Sequence, residues 1–510
     1  MNLRSGQRAG SSAPPRSSGG ADRISALADE LLLLVLARLR CVRTAARASV
    51  LSSRWRGLWT RLPSFVFRDV ALPALAAVLH RVASDNVVSL SLLDIDVPQR
   101  DRSPSWAAPH GRVSSLLCAA ARLSPERLVL ALPWDAAAPH EKVELPRFQR
   151  ATSITLSTPS LVILRARTVG QLSALTTLVL SGCTADALDD LVPRCPRLRV
   201  LRFSGTVACY TGITVDTIMV CSRSLQELVL NVEGHTRVRG IVVATPNLEQ
   251  LTVASRVGDN LGVSVLAPMA GNVSWHCRYG SESPGLGSWT LERVSLVMSP
   301  PATRLAPVLQ IQLLKHRDRF SDWLWMQDTL AGEVEKHLQM QVAADLSVFD
   351  LELHLAPLGH VYGALASFFL GIHRIRDAIH RLKVVLPEPK LHTDKVKCEE
   401  EYCGCEPDDD WTCQTITVPE LEEVEIDGFQ GDDHEFEFLE HLLRCAPMLT
   451  RVILRVSDEN TGTNDAKVHD FSMEHPYVEC HYVVSSDHKR RVAVLSNFKD
   501  SDPATESLLR

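Results

Sequence analysis

The sequence predicts an α/β protein: a small all-α N-terminal module followed by an irregular repeat solenoid, an α/β horseshoe. Two observations carry that expectation. Between residues 22 and 65, leucine, valine and tryptophan recur at helical spacing, with more apolar surface than a unit of about 45 residues can bury alone. From about residue 125 one short phrase, Leu-x-x-apolar-x-apolar, returns at steps of 21 to 27 residues. Such a period belongs to like coils stacked on one another.

In the first segment Leu27, Leu31, Leu34 and Val35 mark one side of a helix, and Leu32, Leu36 and Leu39 mark another. A helix apolar on nearly all sides must be covered on nearly all sides. A second stripe follows at mostly three- and four-residue spacing through Val50, Leu51, Trp55, Leu58, Trp59 and Leu62. The apolar face left over predicts a partner protein.

Leu27-x-Asp29-Glu30-Leu31, the Leu/Val run to Leu39, Cys41-Val-Arg-Thr-Ala-Ala-Arg47 and Ser49-Val-Leu-Ser-Ser-Arg-Trp55-Arg-Gly-Leu-Trp59 stand in a specific order. Together they resemble the F-box, the adaptor-binding module of cullin–RING ubiquitin ligases. The resemblance implies a Skp-type adaptor as partner and, through it, cullin. It places Leu27, Leu31, Leu32, Val35, Leu36, Val50 and Trp55 at the adaptor interface or directly beneath it. Two positions depart from the family: Ala28 stands where proline is usual, and Ser53 where plant members often have arginine. Proline at the first helical position pre-sets φ, so its loss costs roughly 0.4–1 kcal/mol of pre-organisation. Asp29 and Glu30 still place negative charge at the helix N-terminus, where the dipole favours it.

The repeated phrase appears at Leu175–Leu180, Leu198–Phe203, Leu225–Leu230, Leu248–Val253 and Leu291–Leu296, and again at Leu421–Ile426 and Leu449–Leu454. Counted from Leu178, the equivalents Leu201, Leu228, Leu251, Val273 and Val294 follow at steps of 23, 27, 23, 22 and 21; Ile154 lies 24 earlier and Leu128 a further 26. These periods fall in the range of leucine-rich repeats, in which one strand and one return segment make a coil. Alternation buries one face of each strand, and only a neighbouring coil can cover it. Cys195-Pro196 and Thr245-Pro246 predict where return helices end. The residue between the two apolar strand positions faces outward, giving the series Val179, Arg202, Val229, Thr252, Ser274, Ser295, Glu425 and Ile453.

The organisation expected is a lead at 1–21, the F-box at 22–65, a linker with the first repeat-like coils at 66–124 and repeats at 125–299. A helical spacer at 300–345, later repeats at 346–456 and a tail at 457–510 follow. Leu421-Glu-Glu-Val-Glu-Ile-x-Gly428-Phe, His434-Glu-Phe-Glu-Phe-Leu439 and Leu443-Arg-Cys-Ala446 resemble the C-terminal region of plant F-box proteins of the leucine-rich-repeat and FBD type.

Hydrophobic content of 45% and charged content of 22% are those of an ordinary globular protein. No apolar run has the length of a membrane span, and no h-region opens the chain. Thirteen cysteines, mostly scattered, fit a reducing compartment, so cytoplasm and/or nucleus is expected. Net charge is −6, but residues 1–65 hold eleven arginines against three acids, while residues 398–440 hold seventeen acids and no Lys or Arg. No basic stripe with interleaved aromatics points to nucleic acid. Within the acidic run Glu422, Glu423, Glu425, Asp432 and Asp433 are the candidates for holding a basic target. Cys398, Cys403, Cys405 and Cys413 could hold a structural zinc ion, although their acidic neighbours raise thiol pKa and the alternative is a loop of free cysteines. No Gly-x-Ser-x-Gly elbow, phosphate loop or dinucleotide fingerprint occurs. The chain therefore reads as a non-catalytic substrate receptor of a ubiquitin ligase, or else as an adaptor-binding scaffold without ubiquitylation, with no required cofactor.

Overall fold

A computed structural model describes residues 27–495, apart from 69, 71, 85–89, 98–111, 133–140, 160, 165–170, 186–187, 208–213, 235–236, 281–283, 287–288, 300–304, 316–322, 344–345, 356–361, 387–410, 414, 458–460 and 487–488. Its backbone is one long open sheet with a helical module at the N-terminal end. The strands Ser64–Arg68, Leu92–Asp96, Arg127–Ala131, Ser153–Ser157, Thr177–Ala185, Val200–Val207, Glu227–Val232, Gln250–Ala267 and Asn272–Arg278 follow one another, every pair parallel. The period of the sequence becomes their register. Leu93, Leu128, Ile154, Leu178, Leu201, Leu228, Leu251 and Val273 are direct neighbours across successive strands. Two residues on, Ile95, Leu130, Leu156, Leu180, Phe203, Leu230, Val253 and Trp275 form a second level, and both levels are buried.

The phrase at Leu291–Leu296 is not another coil. Only residues 279–288, which include the two-residue strand Gly285–Leu286, separate Asn272–Arg278 from the long strand Trp289–Met298, and a parallel crossover needs a dozen or more. The chain therefore turns straight back, and Trp289–Met298 pairs antiparallel, with Val294 opposite Cys277 and Leu296 opposite Trp275. Strand Val308–Lys315 reverses direction again. Phe349–Leu355, Ile379–Val385, Glu423–Asp427, Arg451–Ser457 and Glu479–Ser486 then continue the parallel series, and the antiparallel Lys489–Leu495 ends it. The region expected as a helical spacer thus contributes a strand to the sheet, because Val308-Leu-Gln-Ile-Gln-Leu alternates with period two. The sheet likewise runs past residue 456 into the expected tail.

The return segments are of two kinds. Near the N-terminus they are helices, Leu72–Ser84 and Arg112–Leu123, and in the later half Tyr362–Gly371, Asp433–Cys445 and Thr461–Glu474. In the middle, where return helices were expected, Thr214–Cys221, Arg237–Ala244 and the distal part of Gln250–Ala267 form a second parallel layer. Runs such as Val238-Arg-Gly-Ile-Val-Val243 are β-branched and fit a strand better than a helix. Gly240 is required there, since a Cβ would lie 2.7 Å from the Thr217 hydroxyl of the neighbouring strand.

An antiparallel strand brings no return segment with it, so the convex side at Trp289–Met298 would be bare. Helix Trp323–Leu338 lies there, packed on the strands around Trp289–Met298 and Gln250–Ala267, with Leu330, Val334 and Leu338 buried. It is pinned by polar groups. Glu333 accepts the Leu261 N–H at 2.9 Å and pairs with Lys336 at 2.8 Å. Trp275 Nε1 donates to His337 Nδ1 at 2.9 Å, and His337 Nε2 meets the Tyr279 hydroxyl at 2.8 Å. Burial, helped by the Lys336 charge, pushes His337 down to about 3. The unfolded chain takes up that proton near the ordinary histidine value of about 6.5, which the folded state refuses. Stability from this site is therefore complete above about 6.5 and falls with pH below it, by up to about 1.4 kcal/mol per pH unit. Melting followed between pH 7 and pH 5 should show a steeper loss for the native chain than for His337→Gln; equal slopes would refute a neutral, buried His337.

Candidate partner-docking site

The N-terminal module is built from helix Asp29–Arg38, helix Val42–Arg47 and three short 3-10 turns over 48–50, 53–55 and 58–61. Leu32, Leu36, Val42, Ala45, Trp55, Leu58 and Leu62 are buried and continuous with the solenoid core. Trp59 lies 6.2 Å from Phe65, and Phe65 6.2 Å from Phe67 on the first strand. Helix Val42–Arg47 also lies against strand Ser64–Arg68. The module thus covers the first strand of the sheet, which a bare solenoid end would leave open.

Helix Asp29–Arg38 starts without a side-chain cap, since Ala28 has nothing to offer; its φ of −64° nevertheless matches that of proline. Arg54 does part of the work instead. Its Nη2 donates to the Leu27 carbonyl at 2.5 Å and to Asp29 at 2.9 Å, and Arg61 approaches the same carboxylate at 3.6 Å. These groups are about 40% exposed, so the pair contributes at most about 1 kcal/mol.

The structure divides the sequence-predicted interface residues into two sets. Leu32, Leu36 and Trp55 are core, with Leu32 0% exposed, and Leu27 is partly covered. Leu31, Val35 and Val50 face outward, and beside them stand Leu34, Leu39 and Leu51. Leu34 is 62% and Val50 89% exposed. Leu31, Leu34, Val35 and Leu39 form a stripe at helical spacing that stays 40% to 62% exposed. Contiguous exposed leucine of this kind marks an interaction surface.

The acidic candidates are placed on the sheet's solvent face and behind it. There the side chains alternate in sign across strands. Asp350, Arg381, Glu423, Arg451 and Glu479 are successive neighbours. Glu423 is paired with Arg381 and with Arg451 at 3.1 Å. Glu425 is held by Lys383 at 3.0 Å and Arg455 at 2.7 Å. Burial alone would raise the Glu425 carboxyl, but these two cations lower it. Asp432 begins helix Asp433–Cys445, and Glu435 folds back onto its N–H at 3.1 Å. Glu422 meets His380 at 3.5 Å, and Asp433 meets Lys467 at 2.7 Å. Glu423 and Glu425 are thus committed inside the protein, to partners 28 to 42 residues away, which no local reading of the sequence finds.

The outward series is confirmed in one row for Val179, Arg202, Val229, Thr252 and Ser274, and in one row for Glu425 and Ile453. Ser295 is buried and, with its strand reversed, pairs with His276. Cys398, Cys403 and Cys405 lie outside the described residues, and Cys413 is exposed. Among the described residues no three metal-ligating side chains come together. Cys183 and Cys195 are buried, and burial pushes their thiols up to about 12 and about 11.

A helical module with an uncovered leucine stripe, capping an open leucine-rich-repeat-type sheet, is the architecture that the sequence motifs resemble. No family model matches the chain. Over 255 residues, 46% of the chain, it is 30% identical to a protein of Arabidopsis thaliana named as an F-box/FBD/LRR-repeat protein; the match takes in 53% of that relative, so the chain spans about half the length of the curated protein it matches. The likeness supports the plant F-box/leucine-rich-repeat type.

The two sets of leucines separate cleanly by mutation. Leu32→Asp buries an unpaired charge costing several kcal/mol and should unfold the module, whereas Leu31→Asp and Val35→Asp should leave the melting temperature within a few degrees of the native value. Ala28→Pro should add about 0.4–1 kcal/mol. Thermal denaturation with limited proteolysis reads all four, and a Leu31→Asp variant as unstable as Leu32→Asp would place Leu31 in the core.

Proposed function

We propose that this chain is the substrate-recognition subunit of a cullin–RING ubiquitin ligase, acting in the cytoplasm or nucleus. The helical module docks on a Skp-type adaptor, and the solenoid holds a target protein. The single observation that carries the reading is the exposed stripe of Leu31, Leu34, Val35 and Leu39 beside Val50 and Leu51. It lies on a module whose sequence resembles the F-box, in a chain similar to an F-box/FBD/LRR-repeat protein. The function needs no reacting side chain. It works by proximity: a target held on the sheet meets the activated ubiquitin at a high effective concentration. The module shares one core with the first coils, so the target's position relative to the adaptor is set by packing and not by a flexible linker.

The test is capture of a Skp-type adaptor by the full-length protein. Leu31→Asp combined with Val50→Asp should weaken capture by about 100-fold or more, the size expected when central apolar contacts are lost. The double variant should remain folded. Undiminished capture would defeat the proposal. Adaptor capture without cullin in the same complex would leave the chain as an adaptor-binding scaffold instead.

A further inference from the structure

Positive charge is carried by different residues in the two parts of this chain. Residues 1–314 hold 33 arginines and one lysine, Lys142, whereas residues 315–510 hold 11 arginines and nine lysines. Ion pairing does not impose the difference. In the first part arginine makes pairs such as Arg54–Asp29 at 2.9 Å and Arg202–Glu227 at 2.6 Å. In the second part lysine makes pairs of the same length, Lys383–Glu425 at 3.0 Å and Lys467–Asp433 at 2.7 Å. The two differ in chemistry: an ammonium group can lose its proton to become a nucleophilic amine, and a guanidinium stays charged. Lys142 lies on strand Glu141–Val143, which pairs in parallel with Leu161–Ile163. Its two neighbours fix that strand. Glu141 accepts the Val113 and Ser114 N–H groups at 3.1 and 2.8 Å, at the start of helix Arg112–Leu123, and Val143 is buried. Lys142 itself is exposed. The sheet strand just before it, Arg127–Ala131, is the third from the helical module, about 10 Å along the stack. The strand bearing Lys383 stands ten strand spacings beyond, roughly 50 Å further along.

We propose that Lys142 is the site at which the receptor is itself ubiquitylated, the single lysine acceptor in a part of the chain otherwise closed to that reaction. The inference rests on the receptor reading and adds a regulation to it. Proximity does not discriminate: a ubiquitin thioester brought within reach of a target is also within reach of the protein that holds the target. Transfer needs an amine. The unprotonated Lys142 Nζ attacks the thioester carbonyl at the ubiquitin C-terminus, and a C–N bond forms. The C–S bond to the conjugating enzyme breaks, and the proton shed by nitrogen balances the departing thiolate. Arginine cannot take that part. The arginines of residues 1–314 therefore give the module and the coils behind it their charge without competing with the target's lysines. Later lysines combine distance with engagement, since Lys336 and Lys383 are partly covered and paired with Glu333 and Glu425. Lys142 is exposed, held on an anchored strand, and lies at the module's end of the solenoid.

The experiment reconstitutes the full-length protein with a Skp-type adaptor, a cullin–RING core, the activating and conjugating enzymes, and ubiquitin with methylated lysines, so that each acceptor carries one ubiquitin. Mass spectrometry identifies the modified lysines. Lys142 should carry most of the ubiquitin on the receptor. Lys142→Arg should slow self-modification about fivefold or more, as expected when the nearest amine is lost and only distant ones remain. Arg81→Lys or Arg122→Lys, placed in the Lys142→Arg background, should restore it. Both arginines are exposed, on helices Leu72–Ser84 and Arg112–Leu123, so these exchanges keep the charge and should leave the melting temperature unchanged. Adaptor capture should be the same for every variant. A protein that captures no adaptor defeats the receptor reading, and this inference with it. With capture intact, four results would overturn the site: an unmodified receptor, Lys142→Arg modified as fast as native protein, ubiquitin placed mainly beyond residue 314, or added lysines that stay unmodified.

Discussion

Every part of this molecule depends on the sharing of alternate strand side chains between neighbouring coils. A strand of five residues offers two inward positions, and alone it buries neither. Stacked in register, Leu178 meets Ile154 and Leu201, and Leu180 meets Leu156 and Phe203, so each side chain is covered from both directions. The core therefore runs as two continuous levels, and it tolerates a change of strand direction that keeps the levels. At the reversed strand Val294 and Leu296 still fall opposite Cys277 and Trp275. What it does not tolerate is an end, and at the N-terminal end the helical module supplies Trp59 against Phe65 as cover. The module is thus the first cap of the solenoid.

The solvent face of the same sheet is governed by electrostatics. Adjacent strands carry opposite signs through the later half, and Lys383 and Arg455 hold the nearly covered Glu425 carboxyl below its ordinary value. Part of a dense acidic sequence, Glu423 and Glu425, is thereby paired across strands with Arg381, Lys383, Arg451 and Arg455.

Much of this was legible in the sequence, because a period of 21 to 27 residues is also a register. From Leu128 to Val273, each residue counted as equivalent along the chain is a spatial neighbour. The reading failed where one local pattern serves two structures. Leu291–Leu296 has the repeat phrase, but strand direction is set by the length of the preceding connection. Residues 308–315 alternate like a strand, yet Pro300-Pro301 before them and the tryptophans after them drew attention to a spacer. In the leucine helix both faces are apolar, so sequence could not say that Leu32 is inside and Leu31 outside. The ion pairs were hidden for a different reason: their members are a whole coil apart.

The two kinds of return segment determine how the sheet bends. A helix with its side chains is about 10 Å wide, roughly twice the spacing of strands. A coil returning through a helix is consequently a wedge, broad on the convex side, and a row of such coils curves. A coil returning through a strand has equal width on both sides and adds no curvature. Helical returns lie at the beginning and in the later half, with short strands at Glu141–Val143 and Leu161–Ile163 and longer strand returns between residues 214 and 267. Helical wedges at the two flanks therefore favour bending there, while strand returns favour a flatter stretch around Val229 and Thr252.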